Sequence, residues 1–180
     1  VKVYIKNMDS LRCKKQVAEE LSKLGIDYSS LELGRVRLNR EFTGKKKEIL
    51  NGRLNRFGLE IIDDKKQILA ERISHMIKGG IYDLHTGREA NYAEYLSEKA
   101  GHDYNYLSQV FCEVKGVAIE DFIASQKVAA VKELLMYDEL TIDEIAKELN
   151  YSSTAHLKRQ FRDIAGITPE YYKLMELRRA

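Results

Sequence analysis

The sequence holds one proline and two cysteines in 180 residues. Two thiols, Cys13 and Cys112, are too few for a disulfide framework, and the expectation is a reduced pair in a bacterial-type cytoplasm. No apolar run approaches the ~20 residues that a membrane-spanning helix needs. The opening VKVYIKN lacks the charged, apolar and cleavage regions of a secretory signal. Catalytic signatures are missing as well. There is no glycine-rich phosphate loop, no nucleophile elbow and no Ser/His/Asp set, and with one proline and short loops there is little chain for an active-site lid. The chain therefore reads as no enzyme. No metal or cofactor is expected either: His75 and His85 lack partners at ligand spacing, and His102 reads as a surface or capping side chain.

What is present is a normal soluble mixture, 44% apolar and 32% charged, long enough for one ordinary domain or two small ones. The net charge of +2 hides an asymmetry. Residues 1–86 hold 18 Lys/Arg against 12 Asp/Glu, and residues 87–180 hold 12 against 16. A nucleic-acid reading of the second half must rest on a local basic face, since its bulk charge is negative.

The first half alternates strand-like and helical stretches. VKVYIK reads as a strand through Val3 and Ile5. Asp9 or Ser10 can cap a helix with Cys13, Val17, Leu21 and Leu24 on its inner face and Gly25 as its stop. In LELGRVRL, a two-residue turn at Gly34-Arg35 would pair Leu33 with Val36 and Leu31 with Leu38 on one face; a bulge at Gly34 is the second solution. Thr43 can open a second helix with Ile49, Leu50, Leu54 and Phe57 inside and Gly58 at its end, and LEII makes a last strand. The order strand-helix-strand-strand-helix-strand over residues 1–63 fits a small ferredoxin-like domain. Residues 64–86 read as a connecting helix and linker. Leu69, Ile73, Met76 and Ile77 form its stripe, Gly79-Gly80 weaken or end it, and HTGREA at 85–90 is the linker.

From Asn91 the pattern is helical and repeats. Ala93, Leu96 and Ala100 are matched 49 residues later by Ile142, Ile145 and Leu149. Leu107, Phe111, Val114 and Gly116 are matched 50 residues later by Leu157, Phe161, Ile164 and Gly166. Both units open on a capping box, Asn91 with Glu94 and Thr141 with Glu144. A helix over about 119–138, with Val128, Val131, Leu134 and Leu135 inward, joins them. Each unit is a helix, a short turn and a second helix, the helix-turn-helix layout whose second helix enters the major groove. The turn needs positive φ, supplied by Gly101 in the first unit and Asn150 in the second; Ser152 or Ser153 then caps the next helix.

With Leu157, Phe161 and Ile164 inward, a 100° wheel turns Ala155, His156, Lys158, Arg159 and Arg162 outward, and Ser153 and Thr154 stand at the helix start. Three cations among short hydrogen-bonding side chains suit a major-groove reader. Arg159 suits bidentate contact to guanine, and Lys158 and Arg162 suit phosphate as well. The first unit instead turns Asn105, Tyr106, Ser108, Gln109 and Cys112 outward, none of them cationic.

Residues 87–178 resemble the AraC/XylS family of bacterial transcription regulators, within a DNA-binding domain expected over 87–180. The stretches IDEIAKELNY, HLKRQFRDIAGITPEYY and KVAAVKELL fall in that family's order. The resemblance implies two helix-turn-helix units on one rigid helix, reading successive major grooves of double-stranded DNA. Its base-reading positions fall on Asn105, Ser108 and Gln109, and on Thr154, Ala155, His156, Lys158 and Arg159. Asn150 stands for the usual Gly of the turn, Lys127 for a common Arg and Leu157 for a common Phe. Residues 1–63 resemble heavy-metal-associated domains, but Ser10 occupies the first cysteine position and only Cys13 remains. One thiolate cannot supply the ligands of a soft-metal site. The expectation is therefore a cytoplasmic, sequence-specific DNA-binding regulator with a sensor or dimerisation domain at 1–63, an effector of unknown kind, and a homodimer using part of the connecting helix. The alternative is a metal- or thiol-responsive protein that works mainly through residues 1–63.

Overall fold

Along β1 (Lys2–Lys6), Val3 and Ile5 alternate with Lys2, Tyr4 and Lys6, and this period of two buries the two apolar side chains. The computed structural model describes residues 1–41, 44–83, 91–137 and 139–179. They form two compact units, Val1–His75 and Met76–Ala180.

In the first unit, Ser10 caps α1 (Leu11–Lys23), its hydroxyl accepting the Cys13 amide at 3.2 Å. Val17 and Leu21 are buried. Gly25, at φ +60°, ends the helix: its amide reaches the Ser22 carbonyl, and the Ile26 amide reaches Leu21 O, both at 3.0 Å. Strands β2 (Tyr28–Glu32) and β3 (Arg35–Leu38) follow, then α2 (Gly44–Asn55) and β4 (Glu60–Ile62). The sheet is antiparallel throughout, in the order β2-β3-β1-β4. Val3, Ile5, Val36 and Leu38 from the sheet, Val17 and Leu21 from α1, and Leu50 and Leu54 from α2 share one core with Met8. Glu20 of α1 is buried but paired with Lys23 at 2.5 Å and Arg53 at 3.3 Å, which ties α1 to α2.

The hairpin differs from the sequence reading. Its two turn residues are Leu33 and Gly34, and the register pairs Leu31 with Val36 and Glu32 with Arg35. Gly34 takes φ +73° at the second turn position, which leaves Glu32 and Arg35 to pair as ions and turns Leu33 out to solvent. Ile49 and Phe57 are also exposed. Leu50 and Leu54 fill the inner face of α2, and Phe57 comes after the helix ends at Asn55. Thr43 lies outside the described residues.

Helix α3 (Lys65–Asp83) runs through Gly79-Gly80 rather than ending there. Each glycine costs ~1 kcal/mol against alanine, and burial of Ile77 and Ile81 on either side offsets this. Leu69, Ile73 and Ile77 are buried as expected, with Met76 half-buried. The linker at 85–90, with His85, lies outside the described residues.

The second unit is helical: α4 (Tyr92–Ala100), α5 (Tyr104–Lys115), α6 (Ile119–Tyr137), α7 (Ile142–Glu148), α8 (Thr154–Ala165) and α9 (Pro169–Arg179). Val128, Val131 and Leu135 of α6 bury against Ile145, Ala146 and Leu149 of α7 and Leu157 and Phe161 of α8. Leu96, Leu107 and Phe111 form the buried side of α4 and α5, with Phe111 edge-on to Phe122 of α6 at 5.3 Å. Ile164, expected inward, is 45% exposed. Ala165 and Ile167 pack against the core in its place. No helix among the described residues is long and apolar enough to cross a membrane.

Candidate nucleic-acid interface

The interface is built twice from the same local rules. In the first helix-turn-helix Asn91 caps α4, its side chain accepting the Glu94 amide at 3.3 Å. Gly101 then turns the chain at φ +71°, and Asp103 caps α5 by accepting the Asn105 amide at 2.9 Å. In the second helix-turn-helix Thr141 and Glu144 form a full capping box at the start of α7. The Thr141 amide and hydroxyl both donate to the Glu144 carboxylate, which holds that carboxyl below the usual range. Asn150 takes φ +52°, as the turn requires. Its amide reaches Lys147 O at 3.1 Å and the Tyr151 amide reaches Ala146 O at 2.8 Å, the paired bonds of a left-handed helix stop. Ser153 caps α8 by accepting the His156 amide at 3.1 Å.

The turn of the second helix-turn-helix is also held from behind. Lys127 of α6 donates to the Asn150 carbonyl at 3.4 Å and lies 4.9 Å from the centre of the Tyr151 ring. Burial holds its ammonium below the usual lysine range. Tyr151 is buried, stands edge-on to His156 at 5.4 Å and donates its hydroxyl to Gln160 at 2.8 Å. The start of α8 is thus fixed to the turn, and the turn to the bridging helix.

On α8, Ser153, Ala155, Lys158, Arg159 and Arg162 are exposed, and Thr154 and His156 are half-buried. Their polar ends are not equally available. Thr154 donates to Asp143 of α7 at 2.6 Å. Lys158 pairs with Glu170 of α9 at 2.5 Å, which raises the lysine and lowers the glutamic acid. His156 Nδ1 lies 2.9 Å from the Ser152 hydroxyl. Arg159 and Arg162 have no ion-pair partner among the described residues. On α5, Asn105 and Gln109 are exposed and Ser108 is half-buried. Asp163 is an exposed acid on α8 itself, and α7 and α9 bring two further carboxylates, Asp143 and Glu170, to the helix. A wheel drawn for one helix contains no signal for them.

The first unit holds a second cluster missed by the sequence reading. Oxygen atoms of Asp9 and Glu71 and a ring nitrogen of His75 lie within 4.8 Å of one another, so His75 does not lack partners. Its Nδ1 faces the Glu71 carbonyl at 2.8 Å; its Nε2 faces the Asp9 carboxylate at 3.1 Å and the Met8 carbonyl at 3.2 Å. Both ring nitrogens meet acceptors, and the form that satisfies both is the imidazolium. Burial opposes that charge, but Asp9 and the two carbonyls outweigh it and raise the pKa. The i, i+4 spacing of Glu71 and His75 was the legible signal; Asp9 comes from a distant turn. Met8 is fully buried, so it cannot pair with Cys13 as an exposed soft ligand.

A helix-turn-helix domain model matches residues 96–175. The HTH-type transcriptional regulator YtdP of Bacillus subtilis is 23% identical over 159 residues, which is 87% of this chain and 21% of that protein. The chain spans under a third of the length of the curated relatives it matches. Among solved structures, the DNA-binding domain of AdpA, determined with a target DNA, aligns with a TM-score of 0.51 at 21% identity, covering 59% of this chain and 94% of that one. An AraC-type transcriptional regulator from Chromobacterium violaceum aligns with a TM-score of 0.52 at 16% identity, covering 60% and 91%. Residues 96–175 thus match a helix-turn-helix domain model, and over about three fifths of its length the chain shares its fold with these two structures.

Proposed function

We propose that the chain is a sequence-specific DNA-binding transcription regulator that reads major grooves with α5 and α8. The observation that carries this is the exposed face of α8. Arg159 and Arg162 project from a helix whose start is locked by Ser153, Tyr151 and Asn150. Rigid placement of a guanidinium is what bidentate recognition of guanine demands. Asn105, Ser108 and Gln109 are the contacts proposed for α5, and Ser153, Thr154, Ala155, His156, Lys158, Arg159 and Arg162 those for α8. Two such helices on one bridging helix suit two major grooves one turn apart, ~34 Å.

Residues 1–63 are proposed as a ferredoxin-like domain for sensing or dimerisation, a reading supported by the antiparallel order β2-β3-β1-β4 with a helix in each crossover. Selection from a random duplex library, with the wild type beside a Lys158→Ala/Arg159→Ala variant, tests the function. An enriched motif lost by the variant is the expected result. Equal binding to all sequences removes the sequence-specific reading.

A further inference from the structure

The second recognition helix meets two carboxylates before it meets any DNA. Glu170, in the first turn of α9, holds Lys158 at 2.5 Å. Asp143, in the first turn of α7, accepts the Thr154 hydroxyl at 2.6 Å and adds to the field at Lys158. Both are solvent-exposed acids on helices that flank α8. A carboxylate presents to an ammonium or a hydroxyl the same anionic acceptor oxygens that a phosphodiester presents. Lys158 and Thr154 are therefore already engaged, in the free protein, by groups of the kind they would meet on DNA.

We propose that Glu170 and Asp143 are selectivity-determining residues of the DNA interface: they occupy Lys158 and Thr154 until a phosphate displaces them, and so suppress binding to DNA of arbitrary sequence. This rests on the DNA-binding reading given above. The physical argument is one of exchange. A free lysine on a recognition face adds affinity for every duplex by releasing a counterion from the backbone. A lysine that must first leave a carboxylate adds little, and the displaced Glu170 stays beside the phosphates and repels them. Arg159 and Arg162, with no such partner among the described residues, keep their full attraction. The cations of the face are thereby divided into one held back and two committed, and sequence-independent attraction falls relative to base reading.

The test uses the full chain and a labelled random-sequence duplex of ~30 base pairs, long enough for two major-groove contacts one helical turn apart. Affinity is measured across a salt series for the wild type, Glu170→Gln, Lys158→Ala and the double variant. Glu170→Gln is expected to tighten binding several-fold and to steepen the salt dependence by about one counterion. In the Lys158→Ala background the same change should lose most of that effect. Asp143→Asn should act in the same direction, more weakly. If the wild type binds the duplex and Glu170→Gln leaves both affinity and salt slope unchanged, the proposal is overturned while the DNA reading stands. If the wild type binds no duplex at low salt, both fall.

Because Glu170 sits at the start of α9, thermal melting accompanies each variant, and a second readout does not depend on substitution. The carboxyl of Glu170, followed by NMR, should titrate below the usual range in the free protein and move back toward it when DNA is bound. A carboxyl unchanged by saturating DNA means that Lys158 never leaves it, and also overturns the proposal.

Discussion

Lys127 and Asn150 join the bridging helix to the turn of the second helix-turn-helix: the ammonium donates to the main-chain carbonyl of the one residue there that must take positive φ. The contact couples two things that a recognition helix needs, a sharp stop before it and a fixed base beneath it. Lys127→Met keeps the alkyl stem and removes the donor. At 3.4 Å the bond is long, so the expected loss of stability is small, about 1 kcal/mol. Amide exchange at Tyr151 should quicken by more than exchange at the far end of α8. Equal exchange rates in the two proteins would show that the turn holds itself.

Asn150 allows a separate test of the backbone. A left-handed conformation costs a side chain with a Cβ roughly 1–2 kcal/mol, which Asn reduces and Gly escapes. Asn150→Ala should lower the melting temperature, and Asn150→Gly should leave it within a degree or two. A neutral alanine variant would show that the turn had relaxed out of the left-handed region.

Arg159 and Arg162 share a face and differ in reach along it. Loss of Arg159 is expected to cost ~1–3 kcal/mol and to relax one base position of the selected motif. Loss of Arg162 should weaken all sequences alike and lower the salt slope by about one. The two outcomes separate base reading from phosphate contact in a single selection experiment. A motif unchanged without Arg159 removes that residue from the reading set.

His75 gives the first unit a pH dependence of known sign. Its pKa is raised in the folded chain, with Asp9 and the carbonyls of Met8 and Glu71 outweighing burial, and Glu71 the second carboxylate nearby. A raised pKa means stabilisation that is complete below the unfolded value of about 6.5 and lost as pH rises through the folded value. The melting-temperature difference between wild type and His75→Gln should therefore shrink from pH 6 to pH 9. A difference that grows over that range would reverse the assignment. Gly34 is part of the same arrangement, since a Cβ there would stand 2.7 Å from His75 Cε1 and its φ is +73°. Gly34→Ala should destabilise the chain even where His75→Gln does not.

Much of this was legible because it is local. Ser10, Thr141 and Ser153 each cap the helix that follows within three residues, and Gly25, Gly101 and Asn150 stop the helix that precedes them. The repeat of Leu107 and Phe111 as Leu157 and Phe161 fixed two equivalent units, and all four side chains are buried. Such features depend on spacing along one helix, which the chain states directly. The hairpin register was one step less local. Two turns fit the alternation of LELGRVRL, and the choice fell to the position where Gly34 could take positive φ with Glu32 and Arg35 left to pair.

The sequence by itself determined where the helices begin and stop, the doubled helix-turn-helix and the outward face of α8, because caps, turns and apolar periodicity act within a few residues. Only the tertiary structure decided that Lys158 meets Glu170, that Thr154 meets Asp143, that Lys127 reaches the turn and that His75 lies between Asp9 and Glu71. Lys158 is 12 residues from Glu170 and His75 is 66 from Asp9. Charges at such separations meet only through the packing of whole elements, and no pattern along the chain encodes that meeting.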